Sequence, residues 1–308
     1  MNIAVIGAGA IGMLLASHFA RSHQVYLITR TKEQADLIKN QGVVLEKNGA
    51  EEIIFPYVYD QEDTCHIPRE ISYIFLTVKQ FHLSGALEAV KRWKTTNETM
   101  VIAMQNGMGH EEKLASAFPE GGWTMAVTTE GALKTGRNRV KHTGEGITRM
   151  EMDLPEENRL QLEGLFQTSG LSLEWSPDIV ETMWKKLLVN CAINPVTGIM
   201  EIRNGELLSN PHLLNIMKKI YEEGALVAKK EGYDLSYLWK DITEICRNTF
   251  HNESSMLQDI RSGRKTEIEQ INGVIVKKGK QYGVSTPANE LMVQLILGKE
   301  TKNSSSDG

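Results

Sequence analysis

The residues that most restrict the fold stand at the start of the chain. Asn2-Ile3-Ala4-Val5-Ile6 is a short apolar run, Gly7-Ala8-Gly9-Ala10-Ile11-Gly12 follows without a gap, and Met13 to Arg21 continues as a helix. A buried strand, a glycine turn and a helix in that order are what a dinucleotide-binding βαβ unit requires. Gly7 permits the tight turn, Gly9 lets the backbone approach a pyrophosphate, and Gly12 lets helix and strand pack closely. The helix amino terminus then presents unpaired N–H groups to the phosphate. Met1 to Ala20 is apolar enough to imitate a secretory leader, but it lacks a basic first segment and its glycines sit where a turn needs them, so that reading is rejected.

The second strand of such a unit is Val25 to Arg30. An NAD-binding unit places a carboxylate near its end for the ribose 2′-hydroxyl, whereas this chain has Arg30 with Lys32 close behind. A cation there matches a 2′-phosphate, so the expected cofactor is NADP. Further along, Gly42 to Tyr59 reads as strand segments around Lys47-Asn48-Gly49. Ile71 to Val78 is a buried strand ending at Lys79, and Met100 to Met104 is another ending in Gln105-Asn106-Gly107-Met108-Gly109. Ligands of open α/β sheets sit outside the carboxyl ends of the strands, which makes Lys79 and Asn106 candidate site residues. Trp123 to Thr129 and Ile147 to Met150 complete the strands, Gly131 to Gly146 reads as a polar, glycine-rich connection, and Glu156 to Thr168 as a helix.

Ser176-Pro177 marks the expected break. Beyond it strand patterns vanish, with helices expected over 178–194, 211–231, 235–249, within 254–282, and over 287–297. The fold class is therefore α/β: an N-terminal Rossmann-type dinucleotide-binding domain (1–176), an all-helical C-terminal domain (177–298), and a polar, disordered tail (299–308).

The first helix of the second half is unusual. Leu187, Leu188, Val189, Cys191, Ala192 and Ile193 cover its circumference, as in a helix buried all round. Yet Lys186, Asn190 and Asn194 recur every four residues and form one polar line. Buried amides and amines are costly unless something polar meets them, so the line faces a hydrogen-bonded network or a polar ligand. In 254–282, Ser255 and Asp259 share a helical face, Gly263 interrupts the helix, and Glu267 lies beside the core stripe Ile268, Ile271, Ile275.

With a formal net charge of −5, the 308-residue chain has no electrostatic footprint for nucleic acid or an anionic membrane surface. No run carries the roughly 18 continuous apolar residues of a membrane span. Three scattered cysteines, Cys65, Cys191 and Cys246, suit a reducing cytoplasm and suggest neither a disulfide framework nor a zinc site.

Taken together, these segments resemble the ketopantoate reductase (2-dehydropantoate 2-reductase) family over the whole chain except the tail. The resemblance is carried by Gly7 to Gly12, Thr77-Val78-Lys79, Gln105 to Gly109, His142-Thr143-Gly144-Glu145-Gly146, Trp184 to Asn190 with Asn194-Pro195, and Ser254 to Asp259 with Thr266-Glu267-Ile268. It implies NADPH-dependent reduction of 2-dehydropantoate to (R)-pantoate, toward pantothenate and coenzyme A. It implies Lys186 and Glu267 as catalytic residues, and substrate contacts from Asn106, Asn190, Asn194, Asn204 and Ser255. Cofactor contacts would come from Gly7, Ala8, Gly9, Ala10, Ile11, Gly12, Arg30, Lys79, Asn106 and Ala132, with no metal and no macromolecular partner beyond a possible second copy in a homodimer. The chain departs from the family pattern on the cofactor side, at His82, where a glutamine is common, and at Glu130 after Thr128-Thr129, where a histidine is common.

The chemistry is consistent with those roles. Hydride transfer to a ketone leaves an alkoxide that needs a proton or a cation, and Lys186 can supply either. Burial beside Lys185 is expected to lower its pKa from about 10.4 toward working pH. Two other functions share the motifs: a reductase of a different 2-oxo or 3-oxo acid, and a non-catalytic NADPH sensor, which would have no use for Lys186, Asn190, Ser255 and Glu267 together.

Overall fold

A computed structural model describes residues 1–63, 67–68, 70–93 and 98–305. Cys65 lies outside them. The chain forms two compact units, one of Met1–Gln105 with His110–Ile179, the other of Asn106–Gly109 with Val180–Gly308.

The first unit begins β1 (Asn2–Ile6), α1 (Ala10–Phe19), β2 (Gln24–Thr29), α2 (Lys32–Gln41), β3 (Val43–Lys47), β4 (Ala50–Ile54) and β5 (Tyr57–Asp60). It continues with β6 (Tyr73–Leu76), α3 (Leu83–Arg92), β7 (Met100–Ala103), α4 (Glu111–Ala117), β8 (Trp123–Thr128), β9 (Gly131–Lys134), β10 (Arg139–Gly144), β11 (Ile147–Glu151), α5 (Glu156–Thr168) and β12 (Ser172–Ser176). Eight strands form one sheet in the order β12-β11-β8-β7-β6-β1-β2-β5. From β8 to β5 every pairing is parallel, and β11 runs antiparallel to β8. β6 and β7 are buried at every residue and consist of apolar runs, as strands covered on both faces must. The chain leaves β1 toward β2 and β5 on one side and returns to β6, β7 and β8 on the other. That switch point, at the carboxyl ends of β1 and β6, is where ligands of such sheets bind.

A second sheet, β4-β3-β10-β9, corrects the expected polar connection over 131–146, which folds as a hairpin. β9 is antiparallel to β10, and β10 pairs in parallel with β3, nearly a hundred residues earlier. β9 is partly buried at all four residues and carries no alternating pattern. β3 and β4 join through Asn48 and Gly49, both at positive φ, as expected from Lys47-Asn48-Gly49. β12 escaped the sequence reading because its Ser-Leu-Glu-Trp-Ser forms a partly exposed edge strand.

The second unit contains α6 (Ile179–Met200), α7 (Pro211–Lys230), α8 (Trp239–Asn248), α9 (Ser255–Arg261), α10 (Asn272–Tyr282) and α11 (Pro287–Ser305), with short 3₁₀ turns at Asn204–Ser209 and Ile268–Gln270. Among the described residues it has no strand. The sequence placed the end of α6 before Pro195, but the helix runs on to Met200. Proline removes the N–H that would bond the carbonyl four residues back. That carbonyl, Cys191 O, accepts from the Asn272 amide at 3.1 Å instead. Asn272 is fully buried and also donates to Asn289, whose own amide bonds Ile220 O and Glu223. Of the tail expected to be disordered, residues 299–305 continue α11, and 306–308 lie outside the described residues. Lys299 donates to Gly198 O and Ile199 O at 3.2 Å each, satisfying carbonyls that the end of α6 leaves open.

Candidate functional site

The glycine turn is held at the switch point by contacts that leave no room for side chains. Gly7 has φ +110°, and a Cβ there would lie 2.9 Å from Val78 Cγ1. A Cβ on Gly12 would stand 1.7 Å from Gly7 O. Thr77 Oγ1 donates to Ile6 O and Gly7 O at 3.0 and 2.9 Å, fastening the turn to the end of β6. At Gly9, by contrast, a Cβ would meet no atom within 4 Å. Gly9 is the N-cap of α1, no side chain caps it, and no acidic residue occupies the first turn. Open N–H groups, a positive helix end and an approachable backbone fit the pyrophosphate of a dinucleotide.

Arg30, exposed just beyond β2, donates to Nε2 of His82 at 2.8 Å. The sequence departure at His82 therefore lies against the residue expected to read a 2′-phosphate. Lys79 precedes a 3₁₀ turn, with Nζ 5.8 Å from the centre of the Phe81 ring. Ala132 lies in β9 opposite His142 of β10. Glu130, the other departure, meets His142 Nε2 at 2.7 Å, with both side chains almost wholly buried.

In the second unit, α6 carries the polar line. Trp184, Leu187, Leu188, Cys191, Ala192 and Ile193 are buried around it. Lys186 and Asn190 are partly buried and Asn194 is buried. Burial pushes the Lys186 amine from its ordinary 10.5 to about 8, while the Glu267 charge opposes the drop. Lys185 does not contribute as expected, because it bonds Glu181 one turn earlier at 2.9 Å.

Glu267 is buried at 8 % exposure and immediately precedes the 3₁₀ turn Ile268–Gln270. Its Oε2 accepts from Asn106 Nδ2 at 3.2 Å. Gly107 makes that approach possible, with φ +81° and a hypothetical Cβ only 2.1 Å from Gln270 O. Asn106 thus belongs with the catalytic candidates of the second unit, whereas Arg30, Lys79 and Ala132 belong to the first.

Ser255 is exposed at the start of α9. Its neighbour Ser254, not singled out in the sequence, caps α9 and bonds Thr197 of α6 at 2.7 Å, which fixes α9 beside the helix of the polar line. Asp259 pairs with Arg264 at 3.0 Å across the turn at Gly263, whose φ is +62°. Asn204 donates to Thr249, and its backbone N–H bonds Asn252 O. Among the described residues no group of three His, Cys, Asp or Glu side chains could hold a metal ion, and no helix is long and apolar enough to cross a membrane.

A glycine turn fit for pyrophosphate, together with a lysine near neutral pKa beside a carboxylate, defines a dinucleotide-dependent reductase. The chain belongs to the ketopantoate reductase family: residues 3–153 match the family described as "Ketopantoate reductase PanE/ApbA" and residues 178–300 match its C-terminal domain. It is 31% identical to the 2-dehydropantoate 2-reductase of Bacillus subtilis (strain 168) over 301 residues, covering 97% of this chain and 98% of the relative. The 2-dehydropantoate 2-reductase of Archaeoglobus fulgidus is 32% identical over 305 residues, with the same coverage. Among solved structures, D-mandelate dehydrogenase with NADH and anilino(oxo)acetate is similar at a TM-score of 0.91 and 28% identity, covering 99% of this chain and 100% of that one.

Proposed function

We propose that the protein reduces 2-dehydropantoate to (R)-pantoate with NADPH, a step toward pantothenate and coenzyme A. The observation that carries this reading is the Lys186 amine, held at a pKa of about 8 on the polar line of α6 and within reach of the Glu267 charge. The match of both family regions and the 2-dehydropantoate 2-reductase relatives supports the substrate.

NADPH bound at the glycine turn would supply the hydride. Lys186 in its ammonium form donates a proton from Nζ to the oxygen of the ketone as it becomes an alkoxide. At neutral pH most of the amine is protonated, yet its acidity is close enough to ambient for it to recharge between turnovers. Glu267, oriented by Asn106, accepts a hydrogen bond from the substrate hydroxyl. Asn190, Asn194 and Ser255 provide neutral donors and acceptors for the carboxylate and the keto oxygen. Arg30 and His82 read the 2′-phosphate, and Lys79 and Ala132 line the cofactor. Asn204 has a lesser claim, because its amide is engaged with Thr249. A cytoplasmic location is supported by Cys191 and Cys246, which are free thiols, as suits a reducing compartment.

The pH dependence of reduction tests the assignment. Because the protonated amine is the active form, kcat/KM is level below pH 8 and falls about tenfold per pH unit above it. Lys186→Ala lowers kcat by about 10²–10³ while leaving NADPH binding intact. A profile without a break near 8, or a variant retaining more than a tenth of the rate, removes Lys186 as the acid.

A second reading rests on the likeness to D-mandelate dehydrogenase, which was solved with NADH and anilino(oxo)acetate. Under it, the same groups reduce another 2-oxo acid, and the cofactor preference shifts toward NADH.

A further inference from the structure

We propose that Lys134 is a cofactor-binding residue, its ammonium supplying the positive charge that holds the diphosphate bridge of the dinucleotide at the glycine turn. Lys134 ends β9, in the hairpin that sequence patterning does not reveal, and its Nζ donates to Ala8 O at 2.9 Å. Ala8 stands between Gly7 and Gly9, so the ammonium sits one peptide from the residue whose backbone is open to approach.

The placement is reinforced from the other side. Gln34 Nε2 donates to the same Ala8 O at 3.0 Å and to Arg137 O at 2.7 Å, tying the hairpin end to the turn. The Ala8 carbonyl, with two lone pairs, is met by Gln34 and Lys134 together. A neutral donor such as Gln34 is sufficient to satisfy a carbonyl, so a buried-turn prop does not by itself call for a full charge. A diphosphate does. The first turn of α1 contains no basic side chain, and Arg30 stands at the end of β2, where the ribose is read. Lys134 adds a full positive charge beside the glycine turn and the amino terminus of α1, acting through charge as well as through its bond to Ala8.

The inference rests on dinucleotide binding at the turn, but not on NADPH as the particular cofactor. Calorimetric titration of wild type, Lys134→Gln and Lys134→Arg with ADP-ribose, NADH and NADPH tests it at two salt concentrations. Lys134→Gln keeps a donor for Ala8 O and removes the charge, so it should bind all three about tenfold more weakly at low salt, with a smaller loss on adding salt. Lys134→Arg should stay within about threefold of wild type, since it keeps the charge. Full affinity in Lys134→Gln, or weakening with an unchanged salt dependence, reduces Lys134 to a structural prop and overturns the proposal. A loss confined to NADPH also overturns it, because the 2′-phosphate would then be the partner. If wild type itself fails to bind ADP-ribose, the dinucleotide reading of the turn fails, an outcome distinct from the failure of Lys134 alone.

Discussion

Replacing Lys186 with methionine should make the protein more stable while making it inactive. The amine falls from 10.5 to about 8 because burial disfavours its charge more than Glu267 favours it. At about 1.4 kcal/mol per pH unit, the folded state carries a cost of about 3 kcal/mol for holding that ammonium at neutral pH. Methionine has a similar length and no charge to desolvate. Chemical unfolding at pH 7 should therefore show the variant more stable by up to that amount, the side chain's partial exposure reducing the figure. The difference must also depend on pH in one direction. Below pH 8 the lysine is charged in both states and the full cost is present. Between pH 8 and 10.5 the unfolded chain binds more protons than the folded one, so wild type gains relative to the variant and the gap closes. Using the variant as the reference cancels the titration of every other group. A variant less stable than wild type at pH 7, or a gap constant up to pH 10.5, refutes the claim that a strained charge sits on the polar line.

Two other substitutions probe the units separately. Arg30→Ala should weaken NADPH about ten- to a hundredfold and barely change NADH, as expected for one charge-assisted contact to a 2′-phosphate. Equal losses for both, measured by fluorescence titration, would contradict this. Asn272→Ala leaves Cys191 O and Asn289 Oδ1 without that donor in a fully buried setting and should cost about 2–4 kcal/mol, read from the urea midpoint at unchanged m-value. A loss below 1 kcal/mol would show that another group satisfies the carbonyl freed by Pro195.

The features legible in the sequence were those whose cause is local. The strand, glycine turn and helix at residues 2–21 are dictated by backbone geometry, and the line of Lys186, Asn190 and Asn194 by helical period alone. What escaped depended on partners distant in the chain. The β9–β10 hairpin is polar and half-exposed, and it is secured by pairing with β3. Pro195 signalled a helix end because its replacement donor, Asn272, lies 77 positions away in the chain. Lys299, where the tail was expected to begin, is held by carbonyls at the end of α6, which no tail composition can announce. The partner of Glu267 was hidden for the same reason, since Asn106 comes from the loop after β7. The consequence of His82 could not be read until the structure set it against Arg30.

The central claim, a site built for 2-dehydropantoate in particular, is tested most directly by one comparison of specificity constants. Under saturating NADPH, kcat/KM is measured for 2-dehydropantoate and for 2-oxo-3,3-dimethylbutanoate, which lacks only the hydroxyl. Glu267 and the amides of α6 present more polar groups than a bare 2-oxo acid can satisfy. Sites built around a substrate hydroxyl discriminate by up to about 10⁴–10⁵, because the analogue leaves their polar groups unpaired. The enzyme should prefer 2-dehydropantoate by well over tenfold. A ratio near one would contradict it and favour the broader oxo-acid reading.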